Sequence, residues 1–556
     1  MKPAEKPVSA TPSTKAKQLF WLLALTLICL VPFANKAFHV DDTLFLRAAE
    51  HIQKHPGDFY GFTMNWFGTP MPMIRVFDNP PLTCYYLAFV GSLAGWSEPV
   101  LHLAFLLPAL AAVSGIFALA RHYCARPLMA GLVAMLTPVF LISATSLMCD
   151  TILLAFWVWA LVWFERGLQR NDSFAFLGCG LLVGFALLTK FTGLALIPLM
   201  AAYGLVRQRR PGSWLVALVI PILFAGGYEW ITHKLYGEGL LFTAVTFASK
   251  DRTAVQGHLL EKGILGLGFA GGCFLPLLFY LPLLLSRRTL LSGLCLLVPC
   301  LLLLPFMEHL KPLLWRTQDH LDWMTFFQIA LFTLGGIWLL LLAGSDFWHR
   351  RDPVSLLLTL WVLGIFVFAI ALNWTVNGRS LLPIAPAVAI LLARRMERQS
   401  VRSHFLQQLW PVFLPALPAA VISLSLTWAD YNSANVARTA AAELCARHKT
   451  AGHTLWFEGH WGFQYYMEKS GASPMDLSVP KLASGDLLVL PSNNSNVYPA
   501  PLDLVHLIDV LAYVPNPLYS TMNSSAGAGF YAAVLGPLPF AVGHIDPDHF
   551  YVFQVN

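Results

Sequence analysis

The chain of 556 residues is 57% hydrophobic and only 12% charged, with a mean hydropathy of +0.61. A soluble globule has about a quarter of its residues charged, so the composition excludes one and makes the bilayer the solvent. The net charge of +6 does not indicate a nucleic-acid partner, because the basic residues gather in short loops between apolar runs, where they orient helices in a membrane.

Lys2, Lys6, Lys15 and Lys17 precede the first apolar run, Leu19 to Ala34, which places the start on the cytoplasmic side and delivers Asp41 and Asp42 to the outer side. A cleaved signal peptide is the weaker reading, since Ala34-Asn-Lys-Ala37 is a poor cleavage site and many apolar segments follow. Residues 36–99 are read as the first outer loop. Within it, Pro81 to Trp96 is apolar, but counting it as a crossing would invert every later loop. It is therefore expected to be a juxtamembrane or re-entrant helix on the outer face.

The remaining crossings are expected at Val100 to Ala120, Leu128 to Ala144, Thr151 to Glu165, Phe174 to Leu188, Thr192 to Val206 and Ser213 to Ile231. They continue at Gly263 to Leu285, Leu290 to Phe306, Trp323 to Ala343, Val354 to Leu372, Leu381 to Ala393 and Trp410 to Trp428, about thirteen helices in all by apolar length. Arginine-rich loops such as Arg121 to Arg126 and Arg394 to Arg402 fall inside under this count, and the breaks at Asp150, Lys190, His233 to Glu261 and Asn373 to Arg379 fall outside. After Trp428 the composition changes. Asn435 to Lys449 reads as a helix stopped at Gly452, and strands are expected at Thr454 to Phe457, Asp486 to Leu490, Val505 to Val510 and Tyr551 to Val555. The fold class is thus an α-helical polytopic membrane protein, residues 1–428, with a small extracytoplasmic α/β domain, residues 429–556.

The nine cysteines lie almost all in apolar stretches, without C-x-x-C or zinc-ligand spacing, and read as small core residues. Gly266-Leu-Gly-Phe-Ala-Gly271 matches a dinucleotide spacing but follows no strand, and reads as a helix-packing face. Neither a P-loop nor a G-x-S-x-G elbow occurs.

Charges beside membrane segments are costly and mark function. Asp41, Asp42, Arg75, Asp78, Asp150, Lys190, Lys250, Arg252, His258 and Arg379 all fall on the outer face. Each has a structural alternative: Asp41 or Asp42 as the cap of the helix beginning near Thr43, Asp150 as a cap or as the partner of Lys190, Lys190 as a snorkelling residue, and Arg379 as an interfacial anchor.

Five motifs carry a resemblance: the Asp41-Asp42 pair after the first helix, Asp78-Asn-Pro-Pro-Leu82, Met148-Cys-Asp-Thr-Ile-Leu-Leu154, Gly184-Phe-Ala-Leu-Leu-Thr-Lys190 and Arg379-Ser-Leu-Leu-Pro-Ile-Ala-Pro386. In this order they resemble the GT-C glycosyltransferases, and among these the protein O-mannosyltransferases and the bacterial transferases that add aminoarabinose to lipid A. The resemblance implies a polyprenyl-phosphate sugar donor, an acceptor hydroxyl or phosphate on a lipid, glycan or protein outside the cytoplasm, and an aspartate of the first outer loop at the reaction centre. For a bacterium this would be the periplasmic face of the inner membrane. The lipid A enzymes carry Lys directly before Pro-Pro-Leu and many protein-directed relatives His, whereas this chain has Asn79.

On that reading Asp41, Asp42 and Asp150 are the catalytic candidates, and Lys190, Arg379, Lys250, Arg252 and Arg75 hold the donor phosphate. Asp78, Asn79, Pro80, Pro81 and His258 belong to the donor and acceptor loops. Spacing leaves open a divalent metal between the phosphate and Asp41, Asp42 or His258. A transporter or lipid flippase is the competing class, disfavoured because the charges gather on one face without paired broken helices. A lipid-binding scaffold without turnover is the third.

Overall fold

The computed structural model describes residues 12–250, 259–285, 315–317, 320–400, 413–449, 452–500 and 503–556, with isolated positions between 288 and 302. Among these, seven helices are long and apolar enough to cross a membrane: Thr14–Phe33, Glu98–Tyr123, Asp150–Arg170, Phe191–Gln208, Ser213–Tyr236, Trp323–Arg350 and Pro353–Leu372. Large apolar side chains such as Trp21, Leu107, Phe174, Leu223 and Trp348 stand exposed on the helices, which is uphill in water and neutral in lipid.

The count of thirteen is not reproduced, and proline is one reason. The run 128–144 is two helices, Pro127–Met135 and Pro138–Ala144, bent by 65°, and the run 263–285 is broken by 84° ahead of Pro276. Proline lacks the N–H that would continue the ladder and sits readily in a first turn, so each run restarts in a new direction. Counting each bent pair as one span gives nine. Ser173–Thr189, 17 residues, is a shorter apolar helix, and the segment 290–306 lies outside the described residues apart from isolated positions. Leu82–Ala94, also short, packs on the helix Asp42–Lys54 as a pair beside the bundle. Helices 259–273 and 323–350 cross closely where Gly271 meets Gly335 and Gly336.

Ala416–His448 is one unbroken helix of 33 residues, where the sequence suggested a crossing and a separate soluble helix. At 1.5 Å per residue it is about 50 Å long, and it leads into the C-terminal domain. That domain holds a five-stranded mixed sheet in the order Ser473–Pro474, Leu455–Phe457, Leu487–Pro491, Asp548–Val555, Val505–Tyr513. The first three strands run parallel and the last two join antiparallel. All four expected strands are present, the last two longer than read, with an additional helix, Trp461–Lys469, packed beneath.

The helix Ala385–Ser400 carries a closed polar centre near its C-terminal end. Arg394, 3% exposed, reaches Asp346 at 3.1 Å and Asp352 at 3.0 Å, donates to the Ser355 hydroxyl at 2.9 Å and to the Tyr123 carbonyl at 3.4 Å.

Candidate functional site

The turn before the helix Asp42–Lys54 places two adjacent aspartates in different environments. Val40 has φ +46, a conformation costly for a β-branched residue and retained only where its surroundings impose it. They do so here: Ala37 N–H donates to Asn435, Phe38 N–H donates to the Tyr466 hydroxyl, and Thr43 Oγ1 donates to the Val40 carbonyl. Beyond the turn Asp42 is fully buried, its Oδ2 accepting from His39 N–H at 3.0 Å and its Oδ1 from Leu147 N–H at 2.8 Å. Burial pushes its pKa up to about 7, against the pull of Lys36 and of those two amides. Asp41 occupies the cap position of Asp42–Lys54 without bonding the helix through its side chain. Its carboxylate, 30% exposed, takes a hydrogen bond from Arg379 Nη2 at 2.8 Å.

Arg379 reaches this point from the short helix Gly378–Leu381, started by Asn377, whose side chain accepts from Ser380 N–H at 2.8 Å. Gly378 is required by close approach, since a Cβ there would lie 2.5 Å from the Phe530 ring. The guanidinium is 13% exposed; Nη1 contacts Met148 Sδ and lies 3.8 Å from Asp150 Oδ2. Asp150 opens the helix Asp150–Arg170, where the macrodipole favours a carboxylate, and Lys190 Nζ meets its Oδ1 at 2.7 Å.

Lys190 leaves the helix Ser173–Thr189 in an extended conformation, φ −156 and ψ 136. The following turn packs Gly193 onto the backbone of Ala186 and Leu187, so close that a Cβ would sit 2.6 Å away. The broken apolar hairpin thus presents one lysine at its tip. The result is a chain of alternating charges, Asp41, Arg379, Asp150, Lys190, balanced overall, with Arg379 Nε and Asp150 Oδ2 left without hydrogen-bond partners among the described residues.

Four residues that sequence reasoning passed over surround this chain. Lys36 and Asp430, both fully buried, pair at 2.5 Å. Asp430 also accepts from Thr521 Oγ1 at 2.6 Å and from the Tyr531 hydroxyl at 3.0 Å, and the Tyr531 ring lies 5.5 Å from the Arg379 guanidinium. A lysine and an aspartate at opposite ends of the chain, each beside an apolar run, were the one available signal. Tyr531, in a run of small residues, gave none.

The other expected residues divide. Asn79 is at the site: its carbonyl accepts from the Tyr60 hydroxyl at 2.6 Å, and its side-chain oxygen faces Cys149 Sγ at 3.7 Å. Pro80 and Pro81 are buried at the start of Leu82–Ala94, and Asp78 is exposed. Arg75 is not brought to the aspartates; it is half-exposed and paired with Glu238 at 2.7 Å, a surface contact. Lys250 ends the helix Leu240–Lys250, while its side chain, Arg252 and His258 lie outside the described residues. Among the described residues no three His, Cys, Asp or Glu side chains converge as a metal site.

Residues 78–230 match the family model described as dolichyl-phosphate-mannose-protein mannosyltransferase. That segment contains Asp150 and Lys190. The fold is similar to that of ArnT from Cupriavidus metallidurans bound to undecaprenyl phosphate, with a TM-score of 0.54 and 14% identity over 85% of this chain and 93% of that one. The apo oligosaccharyltransferase of Archaeoglobus fulgidus matches more distantly, with a TM-score of 0.49 and 13% identity over 84% of this chain and 65% of that one. Among curated protein sequences none matches. The chain is therefore a polytopic membrane protein with the GT-C glycosyltransferase fold.

Proposed function

We propose that the chain transfers a sugar from a polyprenyl-phosphate donor to an acceptor hydroxyl or phosphate at the outer face of its membrane, with residues 1–428 as the catalytic module and 429–556 as an outer domain. The observation that carries this is the charge chain itself: an accessible carboxylate, Asp41, held by a cation that is also shared with a second carboxylate and left incompletely bonded. The ArnT neighbour was solved with undecaprenyl phosphate, a lipid of the proposed donor class.

On this reading the donor phosphate enters beside Arg379 and Lys190. The chain is neutral without ligand, so an arriving phosphate competes with Asp41 and Asp150 for the two cations. The competition frees Asp41 to accept the proton of the acceptor as the glycosidic bond forms, a contribution of roughly 10² to 10⁴ in rate. The bond from the anomeric carbon to the phosphate oxygen breaks, the electron pair leaves with polyprenyl phosphate, and Arg379 and Lys190 stabilise the growing charge more in the transition state than before it. Attack opposite the leaving group inverts the anomeric centre. Asp42, enclosed and doubly bonded to backbone amides, holds the turn.

Purified protein incubated with polyprenyl-phosphate sugar and an envelope extract should release free polyprenyl phosphate. Binding without release would leave a scaffold, and transport without cleavage a flippase. Labelling of a single cysteine at position 97 by an impermeant reagent from outside checks the face; labelling from the cytoplasm alone would move the site to the wrong side.

A further inference from the structure

We propose that Tyr531 is a positioning residue for Arg379, so that the C-terminal domain completes the reaction centre instead of only covering it. This rests on the reading of Arg379 as a ligand of the donor phosphate. A guanidinium bonds through its edge and leaves two flat faces open. The Arg379 edge is turned to Asp41, Met148 and Asp150, while the Tyr531 ring lies 5.5 Å from the guanidinium carbon. Stacking on an aromatic face is a contact that arginine makes readily, and it strengthens where water is excluded.

The ring has little freedom of its own. Its hydroxyl sits 3.1 and 3.0 Å from the two oxygens of Asp430, to which it can donate one hydrogen bond, and Asp430 is held by Lys36 at 2.5 Å and Thr521 at 2.6 Å. The His39 ring meets the Tyr531 ring at 5.4 Å and 81°, edge to face. The backbone is clamped as well. Gly378 N–H donates to the Phe530 carbonyl at 2.8 Å, and Ala533 N–H donates to the Val376 carbonyl at 2.8 Å. Residues 530–533 therefore locate Arg379 twice, by the main chain on its N-terminal side and by the ring on its guanidinium.

A tyrosine here does something phenylalanine could not. Phenylalanine would fill the same volume and offer the same face, but only the hydroxyl connects that face to Asp430 and, through it, to Lys36 at the root of the Asp41 turn. The two sides of the centre, the first outer loop and the Arg379 turn, are thus referenced to one buried carboxylate.

The test is a double-mutant cycle on the full chain in detergent, comparing wild type, Tyr531→Phe, Tyr531→Leu, Arg379→Met and the Tyr531→Leu/Arg379→Met pair, with undecaprenyl phosphate as the probe and Tm as an independent readout. Tyr531→Leu should raise the Kd for undecaprenyl phosphate about tenfold, the scale of a desolvated cation–π contact, and Tyr531→Phe by about threefold. In the Arg379→Met background Tyr531→Leu should have no further effect, and the two substitutions should be non-additive in Tm. Additive effects in both readouts would overturn the proposal. If the wild type binds no lipid phosphate, the donor reading falls by itself and the Tm cycle alone decides the positioning claim. Should Tyr531→Leu fail to fold, the cycle is closed with the Tyr531→Phe/Arg379→Met pair instead and decides by the same criterion.

Discussion

Two arginines flanking the same stretch of chain, Arg379 just before the helix Ala385–Ser400 and Arg394 near its far end, each stand between two carboxylates, and they differ in how far the arrangement is finished. Arg394 is 3% exposed and adds a serine hydroxyl and a backbone carbonyl to its two aspartates. Arg379 has one firm carboxylate partner, a second at 3.8 Å, and an Nε without a partner among the described residues, while Asp41 opposite it faces solvent. Buried charge is tolerated when fully bonded and is costly otherwise. The closed centre reads as architecture, and the open one as a place kept for a ligand.

The sharpest way to break that contrast is Asp41→Asn. It should lower turnover by roughly 10² to 10⁴ with little change in Tm, measured as release of polyprenyl phosphate. Arg394→Met should do the reverse, costing on the order of 3–5 kcal/mol of stability while each folded molecule keeps its turnover. Equal turnover in Asp41→Asn and wild type would close the case against the open centre.

Next in size is the Lys190 and Asp150 pair. Lys190→Met alone leaves buried Asp150 only the more distant Arg379, at 3.8 Å, and should cost about 3 kcal/mol, part of which Lys190→Met with Asp150→Leu should recover. Activity should not recover, because the proposed phosphate site has lost one of its two cations. A double variant that regains turnover would reduce Lys190 to a counter-ion, as Asp346 is for Arg394.

Asp42→Asn sharpens the difference between neighbours. The amide can accept from one of the two backbone N–H groups that Asp42 serves, but turns an NH₂ toward the other. Stability should fall by about 1–3 kcal/mol, read by thermal unfolding, and turnover per folded molecule should survive. A variant that is fully stable but dead would exchange the roles of Asp41 and Asp42.

The smallest expected effect is one of pH. Burial pushes His39 down to about 4, against the pull of Asp430 and with the help of Lys36. The unfolded chain takes up a proton near pH 6.5 and the folded one only near 4. The stabilisation from a neutral His39 is thus complete above 6.5 and is lost as the pH falls toward 4. Between pH 7 and pH 5, wild type should lose about 1–2 kcal/mol more than His39→Gln. No difference in their acid sensitivity would show that the pocket around His39 opens to water.

What could be seen in advance follows the range of the interactions. Asp41, Asp150, Lys190 and Arg379 were legible because each interrupts or borders an apolar run, a local event with a large energetic cost. The different environments of Asp41 and Asp42 were not, because they depend on the left-handed turn at Val40 and on the amide of Leu147, 105 residues away. The runs Leu128 to Ala144 and Gly263 to Leu285 were each read as one straight crossing, because hydropathy does not register a bend at Pro138 or Pro276. Tyr531 was invisible for a related reason. It is an ordinary aromatic residue whose importance comes only from a fold that carries it back to Arg379.

The buried contact between Lys36 and Asp430 spans 394 positions, and that separation is also an interval of time. At 5–20 residues per second, a ribosome needs roughly 20–80 s to go from one to the other. Throughout that interval the ammonium of Lys36 waits at the membrane surface without its counter-charge, and the turn that aims Asp41 lacks its anchor. The aspartates are made long before the residues that fix their arrangement, which is complete only when Thr521 and Tyr531 close over Asp430. A nascent chain that has not reached Asp430 thus carries Asp41 and Asp42 without the contacts that hold their turn.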